Sequence, residues 1–457
     1  MPEIQFFETK TQREPIMNKM TRKTIVFPLA IILLVLSFIE GAGMRGKTVK
    51  GNAGNGSPSD SDSSGVLLAS VDPDLSLSSG QAAGQVIQPI PRVEKLTGEP
   101  HPGVSFGFAY TAESISLLSG GLSNRASHYL DNVDLQFEID TEGLGLWAGG
   151  TLSAYFLSNS GADPSLAVGD AQVTSNIEAY DSQRLYELWY NQALFGGALE
   201  ILVGLHDLNS EYYTVETGGL FNNSSFGIGA NLSGNVSVGI FNVAALGTRV
   251  KVAPMENLVI LASVYDGDPG DPAVNYNGIT VDWDPSQGLM SIIEAQLAPQ
   301  TAGFENGIPQ AYRLGGWYHS ADFELIGTDT TEIVQGNYGV YFSIDQPISR
   351  SVSGFVHGGF AVGNRSPVPS YLGMGFQITP GKRWLVSQRF EETFGLAIGS
   401  AFIQEENNNE LVIEATWQIQ INEYLSLKPD LQYVINPGGV SSSKNVLVFS
   451  LRTEIGL

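Results

Sequence analysis

The sequence predicts an all-β chain: a transmembrane antiparallel β-barrel preceded by a signal peptide and a disordered tether. Three observations carry this. Apolar and polar residues alternate with a period of two in segment after segment from Gly103 to the C-terminus, as strands with one apolar and one polar face require. The chain holds 53 glycines and only 15% charged residues, which fits many strands joined by tight turns. It has no cysteine and carries one short apolar run near its start, and both fit export.

The N-terminus comes first. Lys19, Arg22 and Lys23 precede an uncharged run from Ile25 to Ile39, closed by Glu40 and the small residues Gly41-Ala42-Gly43. A basic stretch, a short apolar stretch and small residues in that order are the pattern of a secretory leader. The run is shorter than the roughly 20 residues a membrane-spanning helix needs. Residues 1–43 are therefore expected to be a signal peptide with an extra N-terminal prefix, and Met17 or Met20 fits as the translation start. Residues 44–95 are expected to be a linker. From Arg45 to Gln88 it is Gly, Ser, Asn and Asp with few apolar residues, too few to offset the entropy of ordering. Pro89 and Pro91, with Pro100 and Pro102 further on, stiffen the entry to the third segment, residues 96–457, the barrel itself.

The strands follow in order. Val133, Leu135, Phe137 and Ile139 alternate with Asp134, Gln136, Glu138 and Asp140. After the turn glycines 143 and 145, Leu144, Leu146, Ala148, Leu152, Ala154 and Phe156 face one way, and Trp147, Thr151, Ser153 and Tyr155 the other. Beyond a polar loop at 159–181, Tyr186, Leu188 and Tyr190 oppose Glu187, Trp189 and Asn191. Gly196-Gly197 makes a hairpin turn, and Ile201, Val203 and Leu205 then oppose Glu200, Gly204 and His206. Tyr338 to Ile344 and Phe394 to Ile398 repeat the rhythm. The cleanest strand is the next, with Leu411, Ile413, Ala415, Trp417, Ile419 and Ile421 set against Glu410, Val412, Glu414, Thr416, Gln418 and Gln420. Leu447, Phe449, Leu451, Ile455 and Leu457 make the last apolar face. Segment 168–181 is the best helix candidate and a weak one.

A soluble sandwich shows the same alternation. Two features favour the membrane barrel. Carboxylates and amides recur at mid-strand on the polar face, as in Gln136, Glu138, Glu187, Glu414 and Gln418. Tyr186, Tyr190 and Trp417 collect near strand ends on the apolar face, where aromatic girdles meet a bilayer interface. An apolar strand running to the last residue suits a sheet whose last strand closes on its first and leaves no edge.

Composition narrows the function. The formal net charge of -24 argues against nucleic acid and anionic lipid surfaces as partners, since both select clustered Lys and Arg. The five histidines are scattered and hold no metal spacing. Asp266-Gly267-Asp268-Pro269-Gly270-Asp271 offers three carboxylates to a Ca²⁺ ion but lacks the length and final Glu of an EF-hand loop; the same residues are ordinary turn formers. No nucleophile elbow, phosphate-binding loop or zinc-protease motif is present, so neither an enzyme nor a cofactor is expected.

The stretch Lys428-Pro429-Asp430-Leu431-Gln432-Tyr433-Val434-Ile435-Asn436-Pro437-Gly438-Gly439 resembles the C-terminal signature of the carbohydrate-selective porins of bacterial outer membranes, the OprB-like family. Leu185-Tyr186-Glu187-Leu188-Trp189-Tyr190, Val203-Gly204-Leu205-His206-Asp207 and Leu220-Phe221-Asn222-Asn223-Ser224-Ser225-Phe226-Gly227 resemble that family's first hairpin and the loop after it, and Asp266-Gly267-Asp268-Pro269 and Gly336-Asn337-Tyr338-Gly339-Val340-Tyr341 extend the likeness. The resemblance implies sixteen strands in the bacterial outer membrane and passive diffusion of sugars. Leu96-Thr97-Gly98 runs on into Glu99-Pro100-His101-Pro102 where the family carries Trp-Gly-Gly, and His206 stands where a Lys or Arg is expected. A sugar pore uses rings that stack on hexose C–H faces and polar groups that exchange hydrogen bonds with hydroxyls. On the expected lumen face those are Trp147, Tyr155, Glu187, Trp189, Asn191, His206, Arg313, Trp317, Arg389, Glu391, Glu414 and Gln418. The expected partners are small-molecule sugars and outer-membrane lipid, with no nucleic acid, as a monomer or a trimer. The excess of Asp and Glu predicts an acidic lumen that prefers cations. The alternative is a general or structural outer-membrane barrel without carbohydrate selectivity, whose tether reaches a periplasmic or cell-wall partner.

Overall fold

A computed structural model describes residues 103–456 apart from 124, 282, 299–309, 328–331 and 381–389, together with the dipeptide Ile25–Val26. The expected leader and linker otherwise lie outside the described residues, as does Arg389. Sixteen antiparallel strands close into one barrel. They are β1 Val104–Ser119, β2 Ser127–Asp140, β3 Gly150–Gly161, β4 Ser182–Leu194, β5 Leu199–His206, β6 Ala245–Met255, β7 Leu258–Asp266 and β8 Leu289–Leu297, then β9 Ala311–Glu324, β10 Ile333–Ser349, β11 Val352–Ala361, β12 Ser370–Ile378, β13 Glu391–Ile403, β14 Asn408–Asn422, β15 Leu425–Ile435 and β16 Val446–Gly456. Closure runs from Leu447 opposite Ser119 to Gly456 opposite Ala109. The strand count that the family resemblance implied is the one observed.

The alternation decides which face turns out. On β14, Ile413 sits between Ile398 of β13 and Tyr433 of β15, all on the outer surface, while Glu414 points inward and is fully buried. Phe156, Val340, Leu396, Leu431 and Phe449 are exposed on the same outer surface. Aromatic residues gather there as expected. Phe106, Phe137 and Phe156 lie in a row, tilted and then edge-on, with ring centres 4.9 and 6.5 Å apart. Phe394 and Trp417 lie parallel at 5.3 Å.

The shortest turns and the three longest connections lie at opposite ends. Turns 195–198, 256–257, 350–351 and 423–424 lie at the end that holds the barrel's two termini. At the opposite end lie connections 162–181, 207–244 and 267–288. Short turns and longer loops at opposite ends are the periplasmic and extracellular ends of an outer-membrane barrel.

Three expectations change. Trp147 is not on a strand: β3 begins only at Gly150, after a turn in which Gly145 and Gly149 take positive φ. Its indole donates to the Tyr190 hydroxyl at 2.9 Å, and Tyr190 pairs with the outward-facing Leu152. Trp147 therefore joins the aromatic girdle outside the barrel. Tyr186 moves the other way. Tyr155 pairs with Glu187 and Phe156 with Leu185, so Tyr186 is the extra residue of a β-bulge. The bulge turns its ring inward, where it is 3% exposed. The weak helix candidate at 168–181 is instead one short helix, Pro164–Val168, followed by irregular chain that enters the barrel.

Candidate functional site

Two of the long connections turn into the lumen and narrow it. The longer, 207–244, opens with Asp207, whose carboxylate accepts from Asn209 N at 2.7 Å and from the Tyr186 hydroxyl at 2.7 Å. It proceeds by short 3₁₀ turns at Leu208–Ser210, Gly218–Leu220 and Ser224–Phe226 and a helical turn at Ala230–Ser233. Its apolar side chains face the wall. Tyr212 and Tyr213 pack with Tyr265, Trp317 and Tyr341, and the rings of Tyr213 and Tyr341 stack at 4.2 Å. Phe221 and Phe226 pack against Phe355 and Ala397. β13 makes room by presenting Gly395 and Gly399 inward. A Cβ on Gly395 would stand 2.8 Å from the Phe221 ring, and one on Gly399 would stand 2.9 Å from the Gln172 amide oxygen.

Loop chain that enters a barrel brings backbone N–H groups that need acceptors. Wall carboxylates supply them. Glu187 on β4 accepts from Asp207 N at 2.9 Å and Glu294 on β8 from Tyr213 N at 2.8 Å. Asp345 on β10 accepts from Glu216 N and Thr217 N at 3.0 and 2.8 Å. Glu414 on β14 accepts from Asn222 N and Asn223 N at 2.5 and 3.0 Å. Glu410, also on β14, takes Ala171 N and Gln172 N of the shorter loop, at 2.8 and 2.9 Å. The two loops are joined as well, by Ser224 N to Val173 O at 3.0 Å and Asn176 N to Asn222 O at 2.7 Å. Each seat satisfies a buried N–H that would otherwise lack an acceptor, so these seats fix the width of the waist.

Most wall cations are paired too. Arg249 donates to both Glu211 oxygens at 2.7 and 2.8 Å. Lys251 lies 3.0 Å from Glu200, Arg313 2.9 Å from Asp345, Lys428 3.3 Å from Glu454 and Arg452 2.7 Å from Glu113. In the loops, burial raises the Glu211 carboxyl, and the charge of Arg249, its hydrogen bonds and the charge of Lys251 outweigh that and hold it below its ordinary value. Burial pushes Asp207 up to about 6 against its hydrogen bonds from Tyr186 and the backbone.

The residues expected to meet solute divide accordingly. Tyr155, Glu187, Trp189, Asn191, His206, Arg313, Trp317, Glu414 and Gln418 all stand on the inward register of their strands. Trp189, Asn191 and Gln418 are partly exposed there. Tyr155 is held to Asp134 at 2.8 Å. Glu187 accepts the Trp189 indole at 2.9 Å, and the Trp189 ring meets His206 edge-on at 6.2 Å. His206 is 3% exposed, bonded to Tyr265 at 2.9 Å and Ser210 at 3.1 Å. Tyr155, Glu187 and His206 are thus buried and bonded, and three more residues depart from the expectation of a wet wall. Trp317 is 3% exposed because the inward loop covers it. Glu414 is spent on the loop backbone. Arg313 is paired with Asp345. Glu391 is exposed at the first position of β13. The acidic lumen is correspondingly less free than its composition suggests. Asp266–Asp271 forms turns, and among the described residues no group of three or more His, Cys, Asp or Glu is arranged to hold a metal ion.

Glu113, Glu294, Asp345, Glu410, Arg249, Lys251, Lys428 and Arg452 were not singled out from the sequence. Their signal was there in each case: a charged residue on the inward register of a mid-barrel strand.

The comparisons agree with this architecture. The model of the family described as "Carbohydrate-selective porin, OprB family" matches residues 124–457. The chain is similar to Porin B of Pseudomonas aeruginosa, at 21% identity over 406 residues, which is 77% of this chain and 87% of that protein. Among solved structures it is similar to the high-pH structure of Pseudomonas putida OprB, with a TM-score of 0.70 and 18% identity over 78% of this chain and 94% of that one. The low-pH structure of the same protein gives a TM-score of 0.50 and 16% identity over 78% and 93%.

Proposed function

The chain belongs to the carbohydrate-selective porin, OprB family, and from that premise we propose how its lumen passes sugars. It is a bacterial outer-membrane porin, a passive channel that prefers sugars. The observation that carries the mechanism is the seating of the two inward loops on Glu187, Glu294, Asp345, Glu410 and Glu414. With the wall carboxylates bonded to loop backbone and most wall cations paired, a passing solute meets mostly hydrogen-bonding groups and ring edges. A neutral polyol exchanges its water for such groups at little net cost. An ion meets a field already largely neutralised. Weak contact at several positions lets the solute leave as easily as it enters.

Trp189, Asn191 and Gln418 are the residues assigned to solute contact, and Tyr155 is buried beside Tyr186. His206, Glu187 and Glu414 hold the waist, and Glu391 stands at the periplasmic mouth. The protein acts as a channel and not as an enzyme. A leader ending near Gly43 and a tether through residue 95 complete the reading. Flux into proteoliposomes tests it. Glucose should enter faster than gluconate, an anion of similar size. Equal entry of the two would leave a general porin.

A further inference from the structure

Among the described residues Arg184 has no counter-ion. It lies on β4 two residues before the bulge and is 5% exposed. Nη2 donates to the Asn275 carbonyl at 3.3 Å, while Nη1 is buried without a hydrogen-bond partner. No carboxylate among the described residues makes an ion pair with it. A buried guanidinium with one nitrogen unbonded is costly, and it marks a place where an acceptor belongs.

The surroundings say which acceptor. Arg184 lines a cavity of about 370 Å³ at the extracellular rim, beneath the connection 267–288, together with Asp266, Asp268, Asp271, Asn275 and Gln287. The segment Asp268–Asp271 also lines a second cavity, of about 460 Å³, with Glu178, Tyr180 and Asn242. Tyr180 is 66% exposed there. Both volumes fall within the roughly 300–1,000 Å³ of small-molecule sites. A simple anion would satisfy Arg184 but meet three aspartates, and a cation would meet the guanidinium. Neutral hydroxyls suit both, because each accepts from Arg184 and donates to a carboxylate.

We propose that the extracellular rim carries a saccharide-capture site astride Asp268–Asp271, with one sugar ring bound at Arg184 and a second in the cavity lined by Tyr180. The site rests on the sugar-porin reading and adds to it a loading step ahead of the waist. It raises the sugar concentration at the entrance.

The test uses full-length protein in planar bilayers, with glucose, maltose or inorganic phosphate added from one side at a time. Wild-type current should be half-blocked by less maltose than glucose from the loop side. Arg184→Gln should raise the loop-side half-blocking concentration of maltose about tenfold, the loss of one charge-assisted hydrogen bond. From the turn side it should be raised far less. If Arg184→Gln does not give a folded, heat-modifiable barrel, Asp271→Asn, on the exposed ridge, serves instead, with an expected rise of several-fold. Half-block unchanged in the folded variant, or loop-side block by phosphate in place of maltose, overturns the site while leaving the porin reading intact. Wild-type channels that pass and respond to no sugar overturn both.

Discussion

Replacing Glu414 with leucine should loosen the waist without opening the barrel. The carboxylate is fully buried and accepts Asn222 N at 2.5 Å and Asn223 N at 3.0 Å. Leucine fills similar space but leaves two buried N–H groups without an acceptor, at roughly 1–3 kcal/mol each. These two N–H groups account for about 2–6 kcal/mol, and that loss falls on the loop, because the ladder between β13, β14 and β15 is backbone alone; Asp430 on β15 also loses its hydrogen bond with Glu414. The seats at Glu294 and Asp345 remain, so the loop should open locally around Leu220–Gly227. The opening equilibrium should rise about 30-fold at the low end and 10⁴-fold at the high end. Glu414→Gln keeps one acceptor oxygen and should fall between. Single-channel recordings would show added current fluctuation, and liposome swelling would show a larger size limit for neutral sugars. A folded Glu414→Leu barrel with wild-type noise and the wild-type size limit would refute the idea that the carboxylate seats the loop.

Other consequences follow from the same geometry. Ile413→Arg puts a charge on the outer surface and should cost roughly 2–4 kcal/mol of folding into lipid near the midplane, whereas Gln418→Arg, on the inward register, should cost far less; equal folding yields would reverse the inside–outside assignment. Burial pushes Glu178, which accepts from the Ser165 amide and hydroxyl, up to about 8 from 4.5. Its folded value lies above its unfolded value, so the seated loop 162–181 is most stable below about 4.5 and loses that stability as pH rises through 8. Hydrogen exchange in 165–178, corrected for intrinsic rates, should quicken between pH 5 and 8.5, and Glu178→Gln should flatten that trend. N-terminal sequencing of the exported protein should begin near residue 44, and a mature chain that retains Ile25–Ile39 would make that run an anchor.

The barrel was legible because period two survives in nearly every strand: one glance along Leu411 to Ile421 separates the face that meets lipid from the face that does not. Two inversions came from features that shift register without leaving a compositional mark. The turn before β3 extends to Gly149, which put Trp147 outside. A bulge at Tyr186 adds one residue to β4, which put that ring inside. The strand count came from family resemblance rather than from periodicity, since segments such as 245–266 alternate too weakly to be counted. The waist was the least legible part. The loop 207–244 is a chain of short turns with no period, and its partners on the wall meet backbone N–H groups, which carry no side-chain signature. Alternation turns Glu414 and Glu187 inward, but it reports direction and not whether water or a loop lies beyond. The faint signals were Asp207 and Asn223, whose side chains cap 3₁₀ turns, and the small Gly395-x-Ala397-x-Gly399 series that receives Phe221 and Phe226.

The claim that this barrel is a sugar-preferring channel is tested most directly by its current in a planar bilayer under a salt gradient, with glucose or maltose then added. Open channels are expected, with a weak preference for cations left over from the paired lumen charges and a current that falls in steps as sugar is added. A folded barrel that carries no current, or a current that no sugar reduces, would contradict that claim.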